Sequence, residues 1–163
     1  VFYDLIKNYF ISFDTVIIKR SSIKKLDHNI DQSYNLIHDL DLLIRLSKKF
    51  KMNYAPFPLS RWRMREDSLS YNSLIKIIIE KKKFIKKISK NNNGDKKFIN
   101  SKIIFMDSLH RQEILYYISK KNYFYVFKIL RKLKMNLKNL ILIFLLLFPF
   151  KKFIFKKFLN LKY

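Results

Sequence analysis

The sequence predicts an α/β protein region followed by an all-α extension that is basic and amphipathic. Residues 15–18, Thr-Val-Ile-Ile, form a short β-branched run that favours a buried strand. Residues 59–65 alternate strictly, with three arginines on one side, which is the period of a strand. Beyond Ser68 the apolar residues recur at helical spacing.

The remaining elements follow from spacing and from residues that start or stop helices. A short helix is predicted around 23–26, with Ser21 and Ser22 as caps. A longer helix is predicted over 39–50, with lysines at its end, where cations suit the helix dipole. Residues 52–55 are a possible strand that two prolines interrupt. Helices are then expected at about 71–90, 96–121 and 123–135.

Composition excludes several classes of site. The 163 residues include no cysteine, so disulfides, thiol catalysis and cysteine-bound metals are excluded. The three histidines are scattered and show no H-E-x-x-H spacing, which argues against a histidine-rich metalloenzyme. Gly94 is the only glycine, so the G-x-G-x-x-G and Walker phosphate loops are absent.

The positive charge lies mainly in the second part of the chain. The net charge is +23, of which residues 1–70 carry +4 and residues 71–163 carry +19. Lysine supplies 28 of the 35 basic residues, a bias typical of an AT-rich genome, so the total charge by itself is weak support for an anionic partner. The distribution predicts a first region at 1–70 and a basic helical extension at 71–137.

The last segment, residues 138–163, combines apolar runs with lysines. Residues 140–150 are eleven consecutive apolar residues, too few for a bilayer span, which needs about 20. Lysines flank this run and recur among phenylalanines after it. The pattern predicts an amphipathic tail that lies in the interface of an anionic membrane.

Four runs in order carry a family resemblance. They are Thr-Val-Ile-Ile-Lys-Arg at 15–20, Asn-Ile-Asp-Gln-Ser at 29–33, His-Asp-Leu-Asp-Leu-Leu-Ile-Arg at 38–45, and Pro-Leu-Ser-Arg-Trp-Arg-Met-Arg-Glu-Asp-Ser-Leu-Ser at 58–70. Together they resemble the second half of the catalytic domain of family 2 glycosyltransferases. The resemblance covers 13–70 of the chain.

The resemblance implies the C-terminal half of an A-type nucleotide-sugar transferase domain, and the chain is expected to be a fragment. It implies inverting transfer of a sugar from a nucleotide-sugar donor to a glycan or lipid-linked acceptor in surface polysaccharide or glycolipid synthesis. A divalent metal, Mg²⁺ or Mn²⁺, would be held mainly by the family's N-terminal nucleotide-binding half, which is expected to precede residue 1. The tail would place the enzyme at the cytoplasmic face of the cell membrane, and no nucleic-acid partner is expected.

The resemblance also assigns roles to single residues. Asp39 matches the general base, and Asp41 is a structural residue beside it. Arg63 and Arg65 would bind the diphosphate, while His38 and Trp62 would contact substrate. The chain departs from the family at His38, where the family has Glu, and at Arg65, where it has His.

Each role has an alternative. Asp39 or Asp41 can be a helix N-cap, and the Asp39-Leu40-Asp41 run imitates a metal-binding D-x-D, although residues i and i+2 point apart on a helix. His38 can be a surface residue and Trp62 a core residue. Arg63 can pair with an acidic neighbour, namely Glu66, Asp67 or Asp41.

Two other functions compete with sugar transfer. The chain can be a non-enzymatic basic helical module that binds an anionic membrane or nucleic acid through lysines and interleaved aromatic residues. It can also be an inactive relic that keeps only part of a catalytic domain. Exposed strand edges would then be expected to make the isolated chain poorly soluble.

Overall fold

The described part of the chain is built from helices. The structure, a computed structural model, describes residues 1–27, 30–61, 73–133, 136, 139–141 and 143. It contains α1 (Phe2–Lys7), a 3-10 helix (Phe13–Thr15), α2 (Arg20–Lys24), α3 (His38–Lys49), α4 (Leu74–Ser89), α5 (Lys96–Ser119) and α6 (Tyr123–Leu130). The chain divides into two units, Val1–Leu109 and His110–Tyr163.

The predicted α/β fold is wrong for the part of the chain that the structure describes, because none of those residues forms a strand. At residues 15–18 a local turn replaces the expected strand. The Thr15 amide and hydroxyl both donate to the Ser12 carbonyl, at 3.0 and 2.7 Å. Val16 and Ile18 then pack inward, while Ile17 is 98% exposed. The segment therefore keeps the alternation of a strand, but no strand among the described residues pairs with it.

The second predicted strand, at 59–65, is described only for its first three residues. These are not in a strand, and Leu59 is exposed, as are Tyr54 and Phe57 before it. Residues 62–65 lie outside the described residues. The possible strand at 52–55 is likewise not formed, because no described backbone pairs with it.

The core of the first unit is formed by the apolar faces of several helices. Its fully buried side chains include Leu5 and Ile6 of α1 and Leu40 and Ile44 of α3. The helices α4 and α5 add Ile78, Phe84, Ile85, Phe98, Phe105 and Leu109. Tyr34, in the loop before α3, is also fully buried against Phe84, with ring centroids 6.1 Å apart.

The start of α5 is fixed by a side chain from the preceding turn. Asp95 Oδ1 accepts from the amides of Lys97 and Phe98, at 2.9 and 3.2 Å, which is the pattern of an N-cap. Its other oxygen accepts from the Tyr3 hydroxyl at 2.6 Å. The cap therefore also connects α5 to α1.

The second unit has a small core of its own. Ile114, Val126, Ile129 and Leu133 are buried together, and Tyr117, Ile118 and Leu130 pack against them. The rings of Tyr117 and Tyr125 stack with centroids 4.9 Å apart. Among the residues that the structure describes, every helix is too short or too polar to cross a membrane.

Candidate functional site

The candidate base, Asp39, lies in the first turn of α3. The helix begins at His38 and its N-cap is Ile37, which makes no side-chain cap hydrogen bond. Asp39 is half-buried, and its Oδ2 accepts from the Tyr9 hydroxyl at 3.0 Å. The N-cap alternative for Asp39 and Asp41 therefore fails, since both residues lie inside the helix.

Tyr9 is held in the protonated form that donates to Asp39. Burial raises the pKa of the Tyr9 phenol well above its usual value, and the negative charge of Asp39 raises this pKa further. The hydroxyl thus remains a donor throughout the neutral range. This contact fixes one oxygen of the candidate base and leaves the carboxylate partly open to solvent.

Asp41 has a structural partner on its own helix. It is 3% exposed, and its Oδ2 accepts from Nε of Arg45 at 2.8 Å, while Nη2 of Arg45 lies 2.8 Å from the same oxygen as an ion pair. The two residues are four positions apart, so they lie on one face of α3. A buried carboxylate paired with a guanidinium on the same helix face supports the helix.

His38 lies beside Asp39 at the start of α3. Its ring is half-buried, and Nδ1 is buried without a hydrogen-bond partner among the described residues. A buried ring nitrogen without a partner costs free energy, so such an atom is a candidate contact for a bound polar group.

The loop before α3 is held by a polar face of α4. Glu80 accepts from the backbone amides of Asn35 and Leu36, at 3.0 and 2.9 Å. Lys83 donates to the Ser33 carbonyl at 3.0 Å. These contacts fix the backbone that leads directly into the turn carrying His38 and Asp39.

A further contact fastens the start of the same loop. The carboxylate of Asp31 is mostly buried and pairs with Lys87 of α4, and its other oxygen accepts from the Ser33 amide at 2.9 Å. The Lys87 ammonium, and to a smaller extent the Ser33 amide, hold the pKa of Asp31 well below its usual range. Lys83 and Lys87 also lie over the Tyr34 ring, 5.6 and 5.8 Å from its centroid.

An open cavity of about 400 Å³ lies beside the Glu80 contact. It is lined by Asn35, Leu36, Ser73, Lys76, Ile79 and Glu80. Polar groups of both signs, from Lys76 and Glu80, border it. Its position places it next to the loop that leads into α3.

Sequence reasoning missed the residues that position the site. Tyr9 and Glu80 lie far from Asp39 in the sequence, and neither belongs to a recognisable motif. One signal was present: Glu80, Lys83, Phe84 and Lys87 recur at helical spacing and so lie on one face of α4. The other predicted site residues, Trp62, Arg63 and Arg65, lie outside the described residues.

The described residues show no cluster of side chains typical of a divalent-metal site. Within the described ranges no three residues of the His, Asp and Glu types come together. Asp39 and Asp41 do not act as a D-x-D pair, because Arg45 already neutralises Asp41 and the two carboxylates lie on different faces of α3.

Comparisons of the chain with protein-family models, with curated proteins and with solved structures find no match.

Proposed function

We propose that the chain carries the acceptor-side part of an inverting glycosyltransferase, with Asp39 as the general base. The observation that supports this most directly is the setting of Asp39. Its carboxylate lies in the first turn of α3 and is partly open to solvent, so an acceptor hydroxyl can approach it. Tyr9 and the loop held by α4 fix its position.

In the proposed reaction the acceptor hydroxyl oxygen attacks the anomeric carbon of a nucleotide-diphospho-sugar. The new C–O bond forms as the bond to the diphosphate breaks, and its electron pair leaves with the diphosphate. Asp39 takes the hydroxyl proton. His38, which lies next to it, would bind the acceptor through its buried ring nitrogen.

In this proposal, residues outside the described ranges bind the diphosphate and the sugar. Arg63 and Arg65 would neutralise the departing diphosphate, because guanidinium groups match phosphate oxygens in a bidentate geometry. Trp62 would pack against the sugar. The donor nucleotide and its divalent metal, Mg²⁺ or Mn²⁺, are assigned to a nucleotide-binding part that the described residues do not include.

We further propose a peripheral location at the cytoplasmic face of the cell membrane, with a glycan or lipid-linked acceptor. Its support is compositional, because residues 138–163 combine apolar runs with lysines. Such a tail would bring Asp39 close to acceptors that grow on the membrane surface.

The first test is the DNA directly upstream of the Val1 codon. An open frame that adds an apolar strand ending in D-x-D supports the proposal and identifies the polypeptide to express. A stop codon directly upstream contradicts it, since the chain would then have no donor site.

The second test is Asp39→Asn in that complete polypeptide. Turnover, followed as acceptor-dependent release of nucleoside diphosphate, is expected to fall at least about a hundredfold, with the helix content unchanged. Asp14→Asn is the control, because Asp14 is an exposed acid outside the site. Normal turnover of Asp39→Asn would show that this carboxylate is not the base.

A second candidate function is a non-enzymatic basic helical module that binds an anionic surface. The helical structure of the described residues favours it, together with the charge of +19 on residues 71–163. This function predicts salt-sensitive binding to anionic vesicles that Asp39→Asn leaves intact, and no sugar transfer by the complete polypeptide. Detection of transfer would exclude it as the sole function.

A further inference from the structure

The short helix α6 exposes aromatic side chains on the face opposite its core contacts. Val126 and Ile129 are each 5% exposed and belong to the core of the second unit. Phe124 and Phe127, which are three positions apart and share the other face, are 74% and 67% exposed. Two adjacent phenylalanines in water are an apolar surface that the core of this unit does not use.

Cationic side chains extend the same face. Lys128 lies four residues after Phe124, and Arg131 lies four residues after Phe127, so each cation follows its phenylalanine by one helical turn. Arg131 keeps helical backbone angles, φ −64° and ψ −18°, and both cations are exposed. We use the name α6 face for Phe124, Phe127, Lys128 and Arg131.

The surrounding charge selects an anionic partner. Residues 114–163 contain 12 lysines and arginines and neither aspartate nor glutamate. The α6 face itself carries two cations and no acid, so its charge favours an anionic partner. Basic residues near an anionic lipid surface contribute about 1 kcal/mol each to binding.

The apolar side chains favour lipid over nucleic acid. Phenylalanine can stack on bases, but the same unit also exposes the aliphatic residues Leu140 and Ile141, at 46% and 49%. Aliphatic side chains have no π face for stacking, whereas they enter the acyl region of a bilayer readily. Phenylalanines and cations on one helix face are also typical of a segment at a membrane interface.

We infer that the α6 face docks on an anionic lipid bilayer, with Phe124 and Phe127 inserted below the headgroups and Lys128 and Arg131 on the phosphates. The inference rests on the proposed membrane location. It adds a second membrane contact, on a folded helix, to the contact proposed for the tail at 138–163. Two contacts on one chain increase membrane affinity more than either does alone.

The first experiment measures binding of the full chain to vesicles of phosphatidylcholine and to vesicles of an equimolar mixture with phosphatidylglycerol. Binding to the mixed vesicles is expected to weaken about tenfold or more in Phe124→Ser/Phe127→Ser and in Lys128→Gln/Arg131→Gln. Phe10→Ser/Phe57→Ser is the matched control for the first pair, since these phenylalanines are 64% and 70% exposed in the other unit. Lys86→Gln/Lys90→Gln, two exposed lysines, is the control for charge.

The second experiment locates the contact. Because the chain has no cysteine, Phe124→Cys can be labelled alone with an environment-sensitive fluorophore, and Phe57→Cys serves as its control. A blue shift on anionic vesicles is expected at position 124 and not at position 57. Quenching of the label at 124 by lipids that carry a nitroxide on the acyl chain is expected as well.

The outcomes separate this inference from the proposals before it. Vesicle binding that persists in both double variants, without a shift at position 124, overturns the α6 face and leaves binding by the tail intact. A chain that binds no anionic vesicle overturns the membrane location too. If Phe124→Ser/Phe127→Ser weakens binding of single-stranded RNA but leaves vesicle binding unchanged, the α6 face binds nucleic acid. That result also overturns the inference. Asp39→Asn is expected to bind vesicles normally, so failure of catalysis is a separate result.

Discussion

Removal of the Glu80 carboxylate is expected to loosen the entrance of α3. Glu80 accepts two backbone hydrogen bonds, from Asn35 and Leu36, at 3.0 and 2.9 Å. Hydrogen bonds to a charged group contribute about 1.5–3 kcal/mol each, and partial exposure brings the pair to about 2 kcal/mol in total. Glu80→Ala should lower the free energy of unfolding by that amount, and Glu80→Gln, which keeps one acceptor oxygen, by about 1 kcal/mol.

Two measurements check this expectation. Urea unfolding gives the change in stability, and amide hydrogen exchange at Asn35 and Leu36 reports the local effect, which should be much larger there than in the core of α5. Helix propensity differs little among Glu, Gln and Ala, so α4 itself should persist. Lys86→Ala, at an exposed position of α4, is the control. If Glu80→Ala unfolds at the wild-type urea concentration and the two amides exchange at the wild-type rate, the proposed anchoring of the loop is refuted.

Three further predictions concern pH and packing. Pairing with Lys87 lowers the pKa of Asp31, so this pairing stabilises the fold above about pH 4, and the stabilisation is lost as the pH falls further. Asp31→Asn should therefore flatten the acid limb of a curve of unfolding free energy against pH. Burial raises the pKa of Tyr34 to about 12, so the stability that the neutral phenol contributes below about pH 10 should be lost between pH 10 and 12. Tyr34→Phe should reduce that loss. An alkaline limb that Tyr34→Phe leaves unchanged would contradict this role of Tyr34. Ile114 is fully buried in the small core with Val126, so Ile114→Ala should cost about 3 kcal/mol in thermal unfolding, whereas a cost below about 1 kcal/mol would mean that this core is loosely packed.

The helices could be predicted from the sequence because helical hydrogen bonds close within four residues. The expected helices at 39–50, 71–90 and 96–121 correspond to α3, α4 and α5 with boundaries shifted by a few residues. The strand expected at 15–18 failed for the opposite reason. A strand is completed by a partner distant in sequence, and the β-branched run at 15–18 has none among the described residues.

The candidate site likewise combines local features, which the sequence predicts, with long-range contacts, which it does not. The position of Asp39 in the first turn of a helix followed from local spacing, and so did the separation of its carboxylate from that of Asp41. The contact of Asp39 with Tyr9 spans 30 residues, and that of Glu80 with Leu36 spans 44. Periodicity carries no information on which polar side chains meet across such distances.

The anchoring of the loop by α4 also has a consequence for the order of assembly. The contacts of Glu80 and Lys87 join residues 44 to 56 positions apart, and α4 lies after the loop in the chain. Helical hydrogen bonds close within four residues, whereas these contacts require α4, so α3 can form before its entrance is fixed. During synthesis the segment that carries Asp39 leaves the ribosome ahead of α4. The geometry around this carboxylate is therefore completed only after α4 has emerged and packed.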